Sequence, residues 1–352
     1  MNIILDDTKA KLSLYPFTAT RHVADIRIGI LTIREKWARL PGVNIYTEVA
    51  SLQQDEFGIS NSAYTIDAGI LPCKELLNCL ESTNVSTVFH ADNAFRRLKY
   101  PWQIFQFNDW ALRQDFEMLT SGRVSQPISS TNKIIGGENI FIEEGAVVEH
   151  SILNASNGPI YIGKNALVME GCMIRGAFAI CEGAVLKMGS KVYGATTIGP
   201  FCNAGGEIKN SVMFGFSNKA HDGYLGDSVI GEWCNLGAGT TNSNVKNSAG
   251  KVKVWSQAEK EFVSAGLKCG ILMGDYSRSA INTSFNTGTV CGVSCNIFGE
   301  GFPPKKIPDF TWGTGKYIFE KALHDISNWK ELKAKSLTND EENTLHQLYN
   351  QS

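Results

Sequence analysis

Long apolar runs are missing from this sequence, and so is any surplus of charge. No stretch approaches the roughly 20 apolar residues that cross a bilayer, and no N-terminal segment reads as a secretory leader. The 33 Lys and Arg against 35 Asp and Glu leave a formal charge of −2. A membrane protein is therefore not expected, nor is a nucleic-acid binder, which would carry a basic face; a cytoplasmic protein is. The nine cysteines include no Cys-x-x-Cys pair, which argues against a zinc site or a disulfide framework. Buried thiols acting as small hydrophobes are expected instead.

What the sequence does contain is a count of six. Ile162, Val168, Ile174, Ile180, Leu186, Val192, Ile198 and Ala204 open successive hexads, and the position two residues earlier is also apolar or small, from Ile160 to Cys202. Period six suits neither an isolated helix nor a half-buried strand. It suits a stacked solenoid of short strands and tight glycine turns, with a three-sided coil of roughly 18 residues. Ile142 and Val148 extend the spacing upstream; Tyr224, Ile230, Leu236 and Asn242 resume it downstream, and Met273 to Phe298 carries a looser version. Met213–Gly223 and Lys246–Gly266 read as excursions from the coil. The second contains Lys251, Lys253, Lys260, Trp255 and Phe262, which suit either a solvated loop or a face that meets phosphates and an aromatic base.

Before the repeat, strands at Asn2–Leu5, Val43–Val49 and Val85–His90 alternate with a helical pattern at Ile30–Leu40, as in an α/β layer with a largely parallel sheet. Asp6, Asp7 and Asp92 fall at the carboxyl ends of these strands, where such sheets bind ligands. Arg96–Thr120 closes the domain with a helix that has Asp109 as expected N-cap and Trp110, Leu112, Phe116 and Leu119 on one face. The expected divisions are an N-terminal α/β domain over 1–125, a linker over 126–133, a β-helix over 134–302 ended by Pro303, Pro304 and Pro308, and a C-terminal helical extension over 303–352.

Leu14-Tyr15-Pro16-Phe17-Thr18 resembles the segment that follows the nucleotide-binding loop of sugar nucleotidyltransferases. The glycine-rich loop itself is replaced by Asp6-Asp7-Thr8-Lys9-Ala10-Lys11. Two readings follow. Asp6, Asp7 and Asp92 hold Mg²⁺ and a nucleoside triphosphate, with Arg21 on phosphate; or the domain is a structural remnant whose acidic residues end strands.

Lys209, then His221-Asp222-Gly223-Tyr224-Leu225-Gly226-Asp227, then Ile230-Gly231-Glu232-Trp233-Cys234-Asn235-Leu236-Gly237-Ala238-Gly239-Thr240 resemble the acetyltransferase domain of the bifunctional GlmU-type family. The resemblance implies a left-handed parallel β-helix, acetyl-CoA as acyl donor, a sugar phosphate and a nucleotide as ligands, and a homotrimer with sites between neighbouring prisms. It implies His221 as general base, Lys209 and Tyr224 on the sugar phosphate, Asn235 and Asn244 on the acceptor, and Arg278 on acetyl-CoA. The chemistry suits these residue types: an imidazole takes a proton near neutral pH, an ammonium neutralises phosphate, and an amide both donates and accepts. Val245 stands where the family has tyrosine, and Asp222-Gly223 where it has apolar or hydroxyl residues. The two function classes are thus a GlmU-type transferase and a non-catalytic sugar-nucleotide-binding trimer with degenerate sites.

Overall fold

The computed structural model describes residues 1–47, 63–73, 76 and 95–352. Asp92, Cys79 and the expected Val85–His90 strand lie outside the described residues.

The solenoid is a parallel β-helix with three faces, and its hydrogen bonding accounts for the count of six. On the nine-stranded face Ile162 pairs with Ile180 and Ile180 with Ile198, a coil of 18 residues. Every residue of the two hexad columns from Ile160 to Ala204 is buried. Each three-residue strand on that face sends its first and third side chains inward, which is why apolar positions recur two apart as well as six apart.

The register changes after Ile198 because the coils change length. Ile198 pairs with Met213 only 15 residues on, so the next two faces are built from Asn203–Ala204 and Glu207–Lys209 with tighter corners. The expected excursion at Met213–Gly223 is therefore ordinary coil, carrying strands Val212–Met213 and Asn218–Lys219. Leu225, not Tyr224, is the inward residue that follows, because the shortened coil moves the phase by one.

The second excursion is real but folded. Between Ile230 and its partner Met273, residues Val252–Ser256 and Glu261–Gly266 form an antiparallel hairpin. Val252, Val254 and Ala265 join the hydrophobic core of the N-terminal layer, so alternate residues are anchored and the segment is not a solvated loop. The coil also continues past the prolines expected to end it: Lys306–Ile307 and Thr311–Trp312 add two more rungs. Pro303, Pro304 and Pro308 fall between short strands, where no ladder N–H is required of them.

In the N-terminal layer, β1 (Asn2–Asp6) lies between β2 (Asn44–Tyr46) and β3 (Ala63–Asp67), all parallel. The helical pattern at Ile30–Leu40 contracts to α1 (Ile33–Ala38), because Leu31–Thr32 pairs as a strand and Thr32 with Glu35 makes a capping box. Helix α2 (Gln103–Gln106) leads into α3 (Asn108–Thr120). The N-cap of α3 is Phe107, without a side-chain cap, and Asp109 instead sits in the first turn, ion-paired with Arg113 at 3.0 Å.

This layer covers one face of the prism. The outward column of the nine-stranded face runs Phe141, Tyr161, Ala179, Thr197, Val212, Val229, Leu272 and Val290, and all eight are buried. Polar groups fix the docking. Asn108 accepts from Gly29 N (2.7 Å) and donates to Ala195 O (2.9 Å) and Thr197 Oγ1 (3.1 Å). Asp115 accepts from Ile30 N (2.7 Å), Leu31 N (3.1 Å) and the buried Lys36 ammonium. At the C-terminus, α4 (Phe319–Glu331) and α5 (Asn339–Gln351) pack Ala322, Ile326 and Leu345 against Trp233, Tyr276 and Phe310 of the coil. The eight described cysteines are all buried.

Candidate active site

His221 sits on the turn between Asn218–Lys219, on the ten-stranded face, and Tyr224–Gly226, on the six-stranded face. Its side chain is exposed and lines an open depression of about 410 Å³ together with Lys187, Met188, Gly206, Asp222, Ala238 and Gly239. The turn explains one departure in the motif. Gly223 has φ of +118°, and a Cβ there would stand 2.9 Å from the Thr240 carbonyl carbon, so the adjacent coil leaves room only for glycine.

The end of the six-stranded face gathers most of the other residues. Lys209 pairs with Tyr193 on one side and Gly226 on the other, while Glu207 pairs with Tyr224. The Asn244 amide donates to Tyr224 Oη (3.1 Å) and to Asp227, whose other oxygen accepts from Asn210 Nδ2 at 2.7 Å. Burial and the nearby Asp227 push Tyr224 well above the ordinary phenol range, so it stays a neutral hydroxyl. Tyr193 donates to Glu207 at 2.6 Å, a bond that pushes it up to about 12, and the Lys209 ammonium lies 5.9 Å from its ring. Tyr193, Glu207, Asn210 and Asp227 were not singled out from the sequence. Glu207 and Asn210 flank Lys209 in the run that carries the resemblance, and Asp227 closes the His-x-x-Tyr-Leu-Gly-Asp run.

Asn235 stands on a different surface. It lies on the ten-stranded face, paired with Asn218 and Arg278. Arg278 is buried beneath α4, 5.6 Å from the Trp329 ring, with Nη2 donating to Asp325 O at 3.4 Å and Nε unpartnered. Burial among apolar groups lowers its pKa. Val245, in place of the family's tyrosine, is partly exposed.

At the sheet edge of the N-terminal layer, Asp6 accepts from Thr8 N (3.0 Å) and Oγ1 (2.8 Å) and pairs with Asp67, which ion-pairs with Arg97. Asp7 Oδ2 is buried without a hydrogen bond, 3.7 Å from His22 Nε2. Burial lowers the His22 pKa, with Asp7 opposing. Among the described residues no three His, Cys, Asp or Glu side chains are grouped to hold a metal. Asp6 and Asp7 thus supply at most part of a Mg²⁺ set, though the bare Asp7 oxygen fits a hard cation. Arg21, placed by the sequence on a nucleotide phosphate, is instead spent on Asp275 and on Glu232 at 3.3 Å, and lies 5.1 Å from the Phe214 ring. The second charge it needs is already inside the protein.

Comparison with known proteins finds relatives of the N-terminal layer and of most of the chain. Residues 2–93 match a family model described as sugar nucleotidyl transferase. A bifunctional sugar-1-phosphate nucleotidylyltransferase/acetyltransferase from Sulfurisphaera tokodaii is 26% identical over 280 residues, 78% of this chain and 63% of that protein. The chain resembles the GlmU-type bifunctional enzymes. The bifunctional protein GlmU of Methanocaldococcus jannaschii is 31% identical over 123 residues, 34% of this chain and 30% of its own length. That of Methanococcus maripaludis strain C5 is 25% identical over 283 residues, 78% and 60% of the two chains. This chain therefore spans about three-fifths or less of each of these relatives. No helix among the described residues is long and apolar enough to cross a membrane.

Proposed function

We propose that the chain is a GlmU-type transferase whose β-helix moves an acetyl group from acetyl-CoA to the amine of an amino-sugar 1-phosphate. The observation that supports this reading is the grouping of Lys209, Tyr224 and Asn244 at one end of the six-stranded face, with His221 on the turn that leads into the Tyr224 strand. Lys209 neutralises phosphate, and the Tyr224 hydroxyl with the Asn244 amide orients the sugar. The His221 imidazole accepts the proton that the amine loses as its nitrogen bonds to the thioester carbonyl. The C–S bond then breaks, and the thiolate of coenzyme A leaves and is protonated.

Asn235, on the neighbouring face, would complete such a site from another copy of the chain, and a homotrimer is part of this proposal. The apolar hollow of about 540 Å³ between Phe298, Phe302, Pro304 and Phe310 at the last coils offers room for the acyl donor. Arg278 would reach a phosphate of that donor only if α4 shifts. In the N-terminal layer, Asp6, Asp7 and Asp92 are proposed to hold Mg²⁺ with a nucleoside triphosphate, the ion neutralising phosphate charge.

The test is thiol release from acetyl-CoA with glucosamine 1-phosphate and other amino-sugar phosphates. Sugar-dependent release that falls about 10²-fold or more in His221→Ala supports the reading. Release that is unchanged in the variant removes His221 from the chemistry. No release with any acceptor, combined with a thermal shift by a nucleotide sugar, points to the binding trimer with degenerate sites.

A further inference from the structure

Lys219 occupies a place that its column reserves for small or apolar residues. The inward positions of successive strands on the ten-stranded face are Leu186, Ala204, Lys219, Leu236, Ser279 and Ile297, and the lysine side chain is 2% exposed. Among the described residues no carboxylate touches its ammonium. It donates only to two backbone carbonyls, Gly205 O at 3.1 Å and His221 O. The two coils close tightly there, since a Cβ on Gly205 would stand 2.9 Å from the Ala220 carbonyl carbon.

A buried ammonium held by neutral acceptors is a net cost to the fold, and a leucine or methionine would extend the apolar core. Burial has accordingly pushed Lys219 down to about 8, with Asp222 opposing. A residue that breaks the pattern at a cost is expected where function compensates, and one of the two carbonyls its ammonium holds belongs to His221. The ammonium ties the His221 carbonyl to the preceding coil, in a turn whose other residues, Ala220, Asp222 and Gly223, bring no side-chain hydrogen bond to that carbonyl.

We propose that Lys219 is a positioning residue, which fixes the His221 turn from inside the β-helix. The inference rests on the proposed role of His221 for its catalytic consequence but not for its structural one. The experiment compares the full chain with Lys219→Met and, as a second apolar replacement, Lys219→Leu. Thermal unfolding, amide hydrogen exchange and thiol release are measured on each.

Both variants are expected to melt at or above the native temperature, while the amides of Ala220–Gly223 exchange at least tenfold faster and those of Ile180 and Ile198 do not change. In the thiol assay kcat falls 10- to 100-fold and KM for acetyl-CoA stays within twofold, a split that simple loss of stability does not produce. Unchanged exchange at the turn, or a lowered melting temperature with uniform loss of protection, overturns the proposal. Full activity in His221→Ala would instead overturn the reading of the base, and the exchange data on Lys219 would still stand.

Discussion

Replacing Asp275 by alanine is expected to loosen the N-terminal layer from the β-helix without unwinding the coil. Asp275 is 1% exposed and accepts from Thr20 Oγ1, from the Arg21 guanidinium, and from the Glu232 backbone N–H at 2.8 Å. Its loss strands a guanidinium whose side chain is 10% exposed, leaving only Glu232 at 3.3 Å. Removing one partner of a buried pair costs about 3–5 kcal/mol. At about 1.4 kcal/mol per tenfold, that corresponds to a loss of protection of roughly 10² to 4 × 10³ for amides that exchange by undocking. Hydrogen exchange read residue by residue should show this in β1, while Ile180 and Ile198 in the coil keep their rates. The double variant Arg21→Met, Asp275→Leu removes both charges and should recover most of the loss. Equal protection of β1 in native and Asp275→Ala proteins, or a double variant no better than the single one, would refute the reasoning.

Three further outcomes follow from the same geometry. Gly29→Ala should destabilise the N-terminal layer by about 2 kcal/mol or more, seen as a lower urea midpoint, because Gly29 has φ of +72° and a Cβ would stand 2.9 Å from the Ala111 backbone of α3. Between about pH 8 and the unfolded lysine value of 10.5, the unfolded chain binds the Lys219 proton that the folded chain has released. Native stability should therefore rise with pH across that window by at most about 3 kcal/mol, and Lys219→Met should lose the rise. Thr338→Ala removes the capping box at the start of α5 and should cost about 1 kcal/mol, appearing as faster exchange in α5 alone.

The division between sequence and structure is sharp at particular residues. The period of six by itself determined the β-helix, because short strands that stack must repeat their inward side chains at each face, and Ile160 to Ala204 obey that rule in both columns. The spacing of His221, Tyr224 and Asp227 likewise carried the likeness to the GlmU-type enzymes. Local pattern did not reveal that the coil shortens after Ile198, since a deletion at a corner looks the same as an excursion. It did not reveal that the coil continues past three prolines, whose cost depends on whether a ladder N–H is needed.

Only the tertiary structure decided which charges are free. Arg21 and Arg278 look alike in sequence as surface cations suited to phosphate, yet one is neutralised across the docking interface and the other lies under α4. Conversely, Lys219 follows Asn218 in an unremarkable polar run, and its inward direction depends on a phase set by the coil lengths before it. Which face of a strand points inward is a property of the stacked coils together, and no single hexad contains it.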